Sequence, residues 1–270
     1  MSETTSGAGR GAAEEGVAPL AVGVDGCRAG WIAMMRRTAD EAPVTRVFPR
    51  FDFLLDGTGP GAVIAVDMPI GLPERIEGAG RAAEKAVRPL LGERQSSVFS
   101  IPARAAVEAG AGPFRSELHR RECHAEACRI AERLSHPPRR ISIQGFGLFP
   151  KILEIDRLLA ADPALADRVI ESHPEFAFRV LNDGAAMRLP KKIKGQVNPA
   201  GLEERRRLLV ACGLPRALLY APPPAGAGQD DLLDAGAMLL VAERYRAGVA
   251  RAHPEPPERD ARGLPIAIWA

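Results

Sequence analysis

Two apolar stretches open the patterned part of the chain, Leu20 to Asp25 and Trp31 to Arg36, on either side of Asp-Gly-Cys-Arg-Ala-Gly. An Asp-Gly pair between apolar runs is a strong hairpin signal, so the pattern predicts two antiparallel strands joined there. Val44 to Phe51 predicts a third strand, and Phe51 to Gly57 a short helix ended by the glycine. Ala62 to Asp67 is apolar without alternation, which predicts a strand buried on both faces, as in a parallel sheet. The two prolines of Met-Pro-Ile-Gly-Leu-Pro stop it.

From about residue 74 to 150 the chain is longer than one crossover needs, and it reads as a helical insertion. It holds an Arg-rich helical piece around Arg81 to Arg88, the loop Gln95 to Arg104, a long helical pattern from Phe114 to Leu134, and a Pro-rich break. Beyond it come an amphipathic helix, Leu148 to Ala160, and a short strand, Arg168 to Glu171. A basic stretch with two further helices follows, and Gly263 to Trp269 predicts a last edge strand. Strands first hairpin-linked and then separated by helices imply a mixed α/β sheet with helices on both faces. Residues 19–270 read as one domain, behind a small, polar tail at 1–18 that reads as disordered.

Composition narrows the picture modestly. The 270 residues are 46% hydrophobic and 5% aromatic, so aliphatic side chains must fill the core. Thirty-six basic and 34 acidic residues leave a net charge of +2, which neither demands nor excludes a nucleic-acid partner. Four scattered cysteines without an apolar leader suit a reduced, cytoplasmic protein, and no apolar run is long enough to span a membrane.

Three predicted strands end in an acid: Asp25, Asp67 and Glu171. As parallel neighbours ~4.8 Å apart, such strands would bring their carboxylates together at one sheet edge, where open α/β sheets place their sites. Like charges that close call for a hard cation such as Mg²⁺ or Mn²⁺. The apolar helix beginning Gln-Asp-Asp-Leu-Leu-Asp adds Asp231 and Asp234 on one helical face, with Asp230 suited to the N-cap. Each acid also has a bland reading. Asp25 and Asp67 suit turns, and the three aspartates suit capping and the helix dipole.

The segments GVDGCRAGW, VDMPIGLP, LGERQSSVFSIPAR, ESHPEFAF, KKIKG and DDLLDA, in that order, resemble an uncharacterised bacterial and archaeal family expected to be RNase H-like nucleases. The resemblance runs from about Val22 to the C-terminal end. It implies an RNase H-like fold with sheet order 3-2-1-4-5, helices on both faces, and phosphodiester hydrolysis with Mg²⁺ or Mn²⁺. Carried over by motif, the first-strand acid falls on Asp25, the fourth-strand acid on Asp67, and the helix acid on Asp231 or Asp234. Glu171 and Glu175 of ESHPE are further candidates, and Glu84 stands where the family pattern has an aspartate. In this fold Asp25 would both end the first strand and open the turn.

Lys191, Lys192 and Lys194, followed by Arg205, Arg206 and Arg207, could contact a phosphate backbone, as could Arg104 near the Asp67 strand end; solvated loops are the plain alternative. His173 could assist proton transfer or serve as a structural hydrogen bonder. His119, Cys123, His124 and Cys128 lie near one another, but their spacing matches no zinc motif. Nucleic-acid hydrolysis therefore leads. A scaffold that binds nucleic acid without catalysis and an actin-like nucleotide-binding enzyme are the competing classes.

Overall fold

The structure, a computed structural model, describes residues 20–270, so the reading of 1–18 as a tail lies outside the described residues. The chain opens with β1 (Ala21–Cys27), β2 (Gly30–Arg36) and β3 (Val44–Phe48), followed by α1 (Phe51–Thr58) and β4 (Val63–Val66). In the insertion, β5 (Ile76–Glu77) and β6 (Ser135–His136) form a two-residue parallel ladder around α2 (Ala82–Val87), α3 (Arg104–Gly110) and α4 (Glu117–Arg133). Then come α5 (Ile143–Gly147), α6 (Phe149–Ala161), β7 (Val169–Glu171) and α7 (Pro174–Leu181). A small hairpin, β8 (Lys192–Ile193) and β9 (Gln196–Val197), precedes α8 (Pro199–Ala211), α9 (Arg216–Tyr220) and α10 (Gln229–Arg246). The chain closes with β10 (Ala252–Arg259) and β11 (Pro265–Trp269).

The main sheet has the order β3-β2-β1-β4-β7. β7 is its fifth strand along the chain, so this is the expected 3-2-1-4-5 arrangement. β1–β2 and β2–β3 are antiparallel, while β1–β4 and β4–β7 are parallel. Strand alternation sorts the core into two layers. Val22, Val24, Ile64 and Val66 face α1, α3, α4 and α6. Ala21, Ala65 and Ile170 face α7, α8 and α10.

Two expectations are corrected here. Asp25 and Gly26 are not the hairpin turn: they stay in β1, paired with Ile32 and Trp31, and the turn is Arg28–Ala29. Gly30 makes the turn possible, since its φ of +127° and the nearness of Phe48 O leave no room for a Cβ. The C-terminal strand also does not edge the main sheet. It pairs with β10, whose prolines Pro254, Pro256 and Pro257 lie within a break in register between His253 and Glu258, a place where a missing N–H is tolerated.

One contact fixes the distance between sheet and helix. A Cβ built on Gly23 would lie 1.9 Å from Leu239 N and 2.2 Å from Ala235 O, both backbone atoms of α10. The helix therefore rests directly on the β1 backbone. It can do so because Leu232 to Ala242 are all buried, giving it apolar contacts on every side. Among the described residues no helix is long and apolar enough to cross a membrane.

Candidate functional site

Asp25, Asp67 and Asp234 converge at the carboxyl end of the parallel strands, each offering an oxygen within 4.8 Å of the others. Register explains the pairing. Val24 lies opposite Val66, so the residues that follow, Asp25 and Asp67, point to the same face, and that face carries α10. Asp234 sits one residue before Ala235, whose carbonyl meets Gly23, and so α10 delivers its carboxylate two residues along β1 from that contact. Among the described residues this is the one group of three or more metal-ligating side chains with atoms this close.

Glu171 does not join the triad. It lies opposite Val66 rather than Asp67, one residue out of phase, and so projects to the other face of its strand. There it accepts hydrogen bonds from Ile70 N at 2.7 Å and from the Arg81 guanidinium at 2.6 and 3.1 Å. Arg81 is fully buried, bonding Glu84 and the carbonyls of Ile70 and Gly71 as well, so these two acids brace the loop after β4. Glu84 therefore acts within this brace and not at the triad. Glu175 is likewise bound to a buried arginine, Arg205, at 2.5 Å. Both glutamates line the pocket, but each is already neutralised.

The remaining candidates separate clearly. Asp231 caps its own helix by accepting from Gly228 N at 2.8 Å, so Gly228 and not Asp230 holds the N-cap position. Asp230 pairs with Lys192 at 2.6 Å. Lys191 donates to Asp234, while Lys194 is exposed on the β8–β9 turn. Arg104 is not at the triad: it is buried between Asp156 and Asp260, 2.7 Å from each. By sequence a basic residue in this loop suits a phosphate contact, whereas tertiary packing uses Arg104 to tie α3 to α6 and the C-terminal strands. Arg206 and Arg207 are bonded to Gln229 and Glu203. His119 with Cys123, and His124 with Cys128, form separate i,i+4 pairs at 3.4 and 3.5 Å, so no zinc site is assembled.

Sequence reasoning missed Lys151. It stands over the Trp31 ring, 4.2 Å from its centroid, donates to Gly30 O, and lines the same pocket. Within an amphipathic helix pattern it carries no signal, since its partner Gly30 lies 121 residues away along the chain.

Electrostatically the triad is overloaded. Burial, then the neighbouring Asp67 and Asp234, holds Asp25 well above the usual carboxylate range. Burial likewise raises Asp67 to about 7, with Lys191 opposing and Asp234, Glu171 and Glu175 adding to the rise. Asp234 is raised by burial too, despite its lysine partner. Lys191 is raised because Asp234, Asp25 and Asp67 outweigh the effect of its own burial. Burial lowers His173 to about 4; its Nε2 lies 3.3 Å from Ser97 O, which suits a neutral, structural histidine. Asp234 Oδ1 is buried with no hydrogen-bond partner among the described residues. An all-oxygen donor set with an orphaned buried carboxylate oxygen fits a hard divalent cation.

Over residues 23–259 the chain matches the family described as protein of unknown function, DUF429. It belongs to that family. The match contains Asp25, Asp67 and Asp234 and begins at Gly23, the residue on which α10 rests. No curated protein and no solved structure matches the chain. The DUF429 description assigns no activity, so chemistry has to be read from the residues themselves.

Proposed function

We propose that the protein hydrolyses phosphodiester bonds in nucleic acid, with Mg²⁺ or Mn²⁺ held by Asp25, Asp67 and Asp234. The observation that carries this reading is the convergence of three carboxylates from separate segments, Asp25 and Asp234 buried and Asp67 half-buried, with one buried oxygen of Asp234 left without a hydrogen-bond partner. Burying like charges together is costly unless a cation offsets them. Lys191 supplies one positive charge, which leaves the cluster acidic. Divalent ions bound there would supply an activated water and stabilise the leaving oxygen of an in-line displacement.

The chain's own residues have distinct tasks. Asp25 within β1 and Asp67 just beyond β4 set the donor geometry, and Asp234 closes it from the helix. Lys191 balances the acids. Lys192 and Lys194, both exposed on the adjoining hairpin, supply phosphate contacts. The scaffold reading is weaker, because a purely binding cleft has no use for acids that repel a polyanion. The actin-like reading is weaker because Asp25 sits within β1 and the turn is Arg28–Ala29, with no hydroxyl residue for phosphate.

Calorimetric titration of Mn²⁺ into the wild type and an Asp25→Asn/Asp234→Asn variant is the first test, followed by nucleic-acid cleavage assays on both. Metal-dependent cleavage and binding are expected in the wild type, with both lost in a folded variant. Unaltered cleavage by the variant, or no cleavage of any nucleic acid by a metal-loaded wild type, would sink the proposal.

Lys191 gives a separate expectation. Lys191→Met should lower the melting temperature in chelator and bind Mn²⁺ on the order of tenfold more tightly, because a like charge beside the ion is removed. Thermal denaturation with and without metal reads both effects. Equal metal responses in the two proteins would show that ammonium and metal do not share these carboxylates.

A further inference from the structure

Asp25 and Asp67 of the triad line a pocket of about 530 Å³, much of whose wall comes from the insertion. That volume falls in the ~300–1,000 Å³ range filled by a single small ligand. Away from the acids the wall is mainly apolar, with Met68, Val98, Ile101, Leu148 and Ile268. A site built solely to grip phosphates along a duplex would need charge there instead.

Phe99 stands in this wall half-buried, and it makes no aromatic or cation contact among the described residues. Its loop is pinned on both sides. Arg88 donates to Val98 O at 3.0 Å and to Ser100 Oγ at 2.8 Å, and Ser100 Oγ donates to Ala79 O at 2.9 Å. His173 Nε2 lies 3.3 Å from Ser97 O. Four polar contacts thus fix a segment whose ring faces the pocket, the pre-organisation a stacking platform requires. Gln144, exposed in the same pocket, has a side-chain amide with no hydrogen bond among the described residues, leaving a donor and an acceptor free for a base edge. Lys151 adds a cation beside Gly26, next to Asp25.

We propose that this pocket takes one unpaired nucleotide, its base stacked on Phe99 and its edge read by Gln144. The substrate is then a single strand or an unpaired end, and not continuous duplex. The placement of the adjacent phosphate at the acids rests on the nuclease reading above; the base pocket itself does not.

The test uses the full-length protein and its Phe99→Ala and Phe99→Trp variants in Ca²⁺. Probes are a labelled single-stranded oligonucleotide, the same sequence as blunt duplex, and a nucleoside 5′-monophosphate. Cleavage in Mn²⁺ is followed in parallel. Single strand should bind at least about tenfold more tightly than duplex. Phe99→Ala should lose roughly 5- to 150-fold, the range for removing one base-stacking aromatic, and Phe99→Trp should keep the affinity. Phe99-dependent binding without cleavage would support the pocket while ending the nuclease reading. Cleavage with equal binding of both forms and an indifferent Phe99→Ala would overturn the pocket and leave the nuclease reading standing. Absence of binding by all three probes would also overturn it.

Discussion

Replacing Gly23 by alanine is expected to destabilise the protein by at least ~3 kcal/mol and to weaken metal binding at the same time. The added carbon would lie 1.9 Å from Leu239 N and 2.2 Å from Ala235 O, and backbone atoms in a helix buried along most of its length have nowhere to go. The strain is relieved by moving α10 off β1, which draws Asp234 away from Asp25. A loss of that size corresponds to a fall in melting temperature of roughly 6–12 °C for a chain of this length. Gly61→Ala is the control, because nothing lies within 4 Å of its Cβ position. Denaturation and Mn²⁺ titration of both variants decide the matter. Gly23→Ala behaving like Gly61→Ala would mean that helix position does not govern the triad.

Asp67→Asn is expected to do the opposite to stability while still removing metal binding. Burial raises the folded-state pKa from 3.8 to about 7, so the folded protein holds this proton more tightly than the unfolded chain does. The stabilisation from that proton is fully present below pH 3.8 and is lost as pH rises to about 7. At pH 8 in chelator the ionised carboxylate therefore burdens the fold. An amide of the same shape carries no charge, and relieving ~2 kcal/mol should raise the melting temperature by about 5 °C. The variant should also lack the part of the pH dependence between 4 and 7 that comes from this group. Millimolar Mg²⁺ should stabilise the wild type at pH 8, progressively less as pH falls through 7, and leave the variant unmoved. A lower melting temperature for Asp67→Asn at pH 8 would contradict this account of the site. Both proteins responding alike to Mg²⁺ would show that Asp67 is no ligand.

Much of the frame is legible in the amino-acid sequence. The continuous apolar run of β4, the hairpin-linked first strands and the long apolar helix α10 each carry local patterns that admit few alternatives. The acids at Asp25, Asp67 and Asp234 are legible because each borders an apolar run of such an element. Their rivals were equally visible, and only packing separated them. Glu171 closes an apolar run as Asp67 does, yet pairing register turns it to the opposite face and into the grip of Arg81. Arg104 has the composition of a phosphate contact, but two carboxylates distant in sequence, Asp156 and Asp260, claim it.

Read alone, the sequence shows the main strands and helices, the mixed sheet and the set of acids from which a site could be drawn, but not the short ladders β5–β6 and β8–β9 or strand β10, because propensity and hydrophobic period act over a few residues. Which three acids meet, which arginines are buried braces, and that Lys151 and Phe99 share a pocket with Asp25 and Asp67 are settled only by tertiary packing. Those outcomes depend on strand register and on the contact of α10 with Gly23. Both are relations between segments far apart along the chain, which no local pattern encodes.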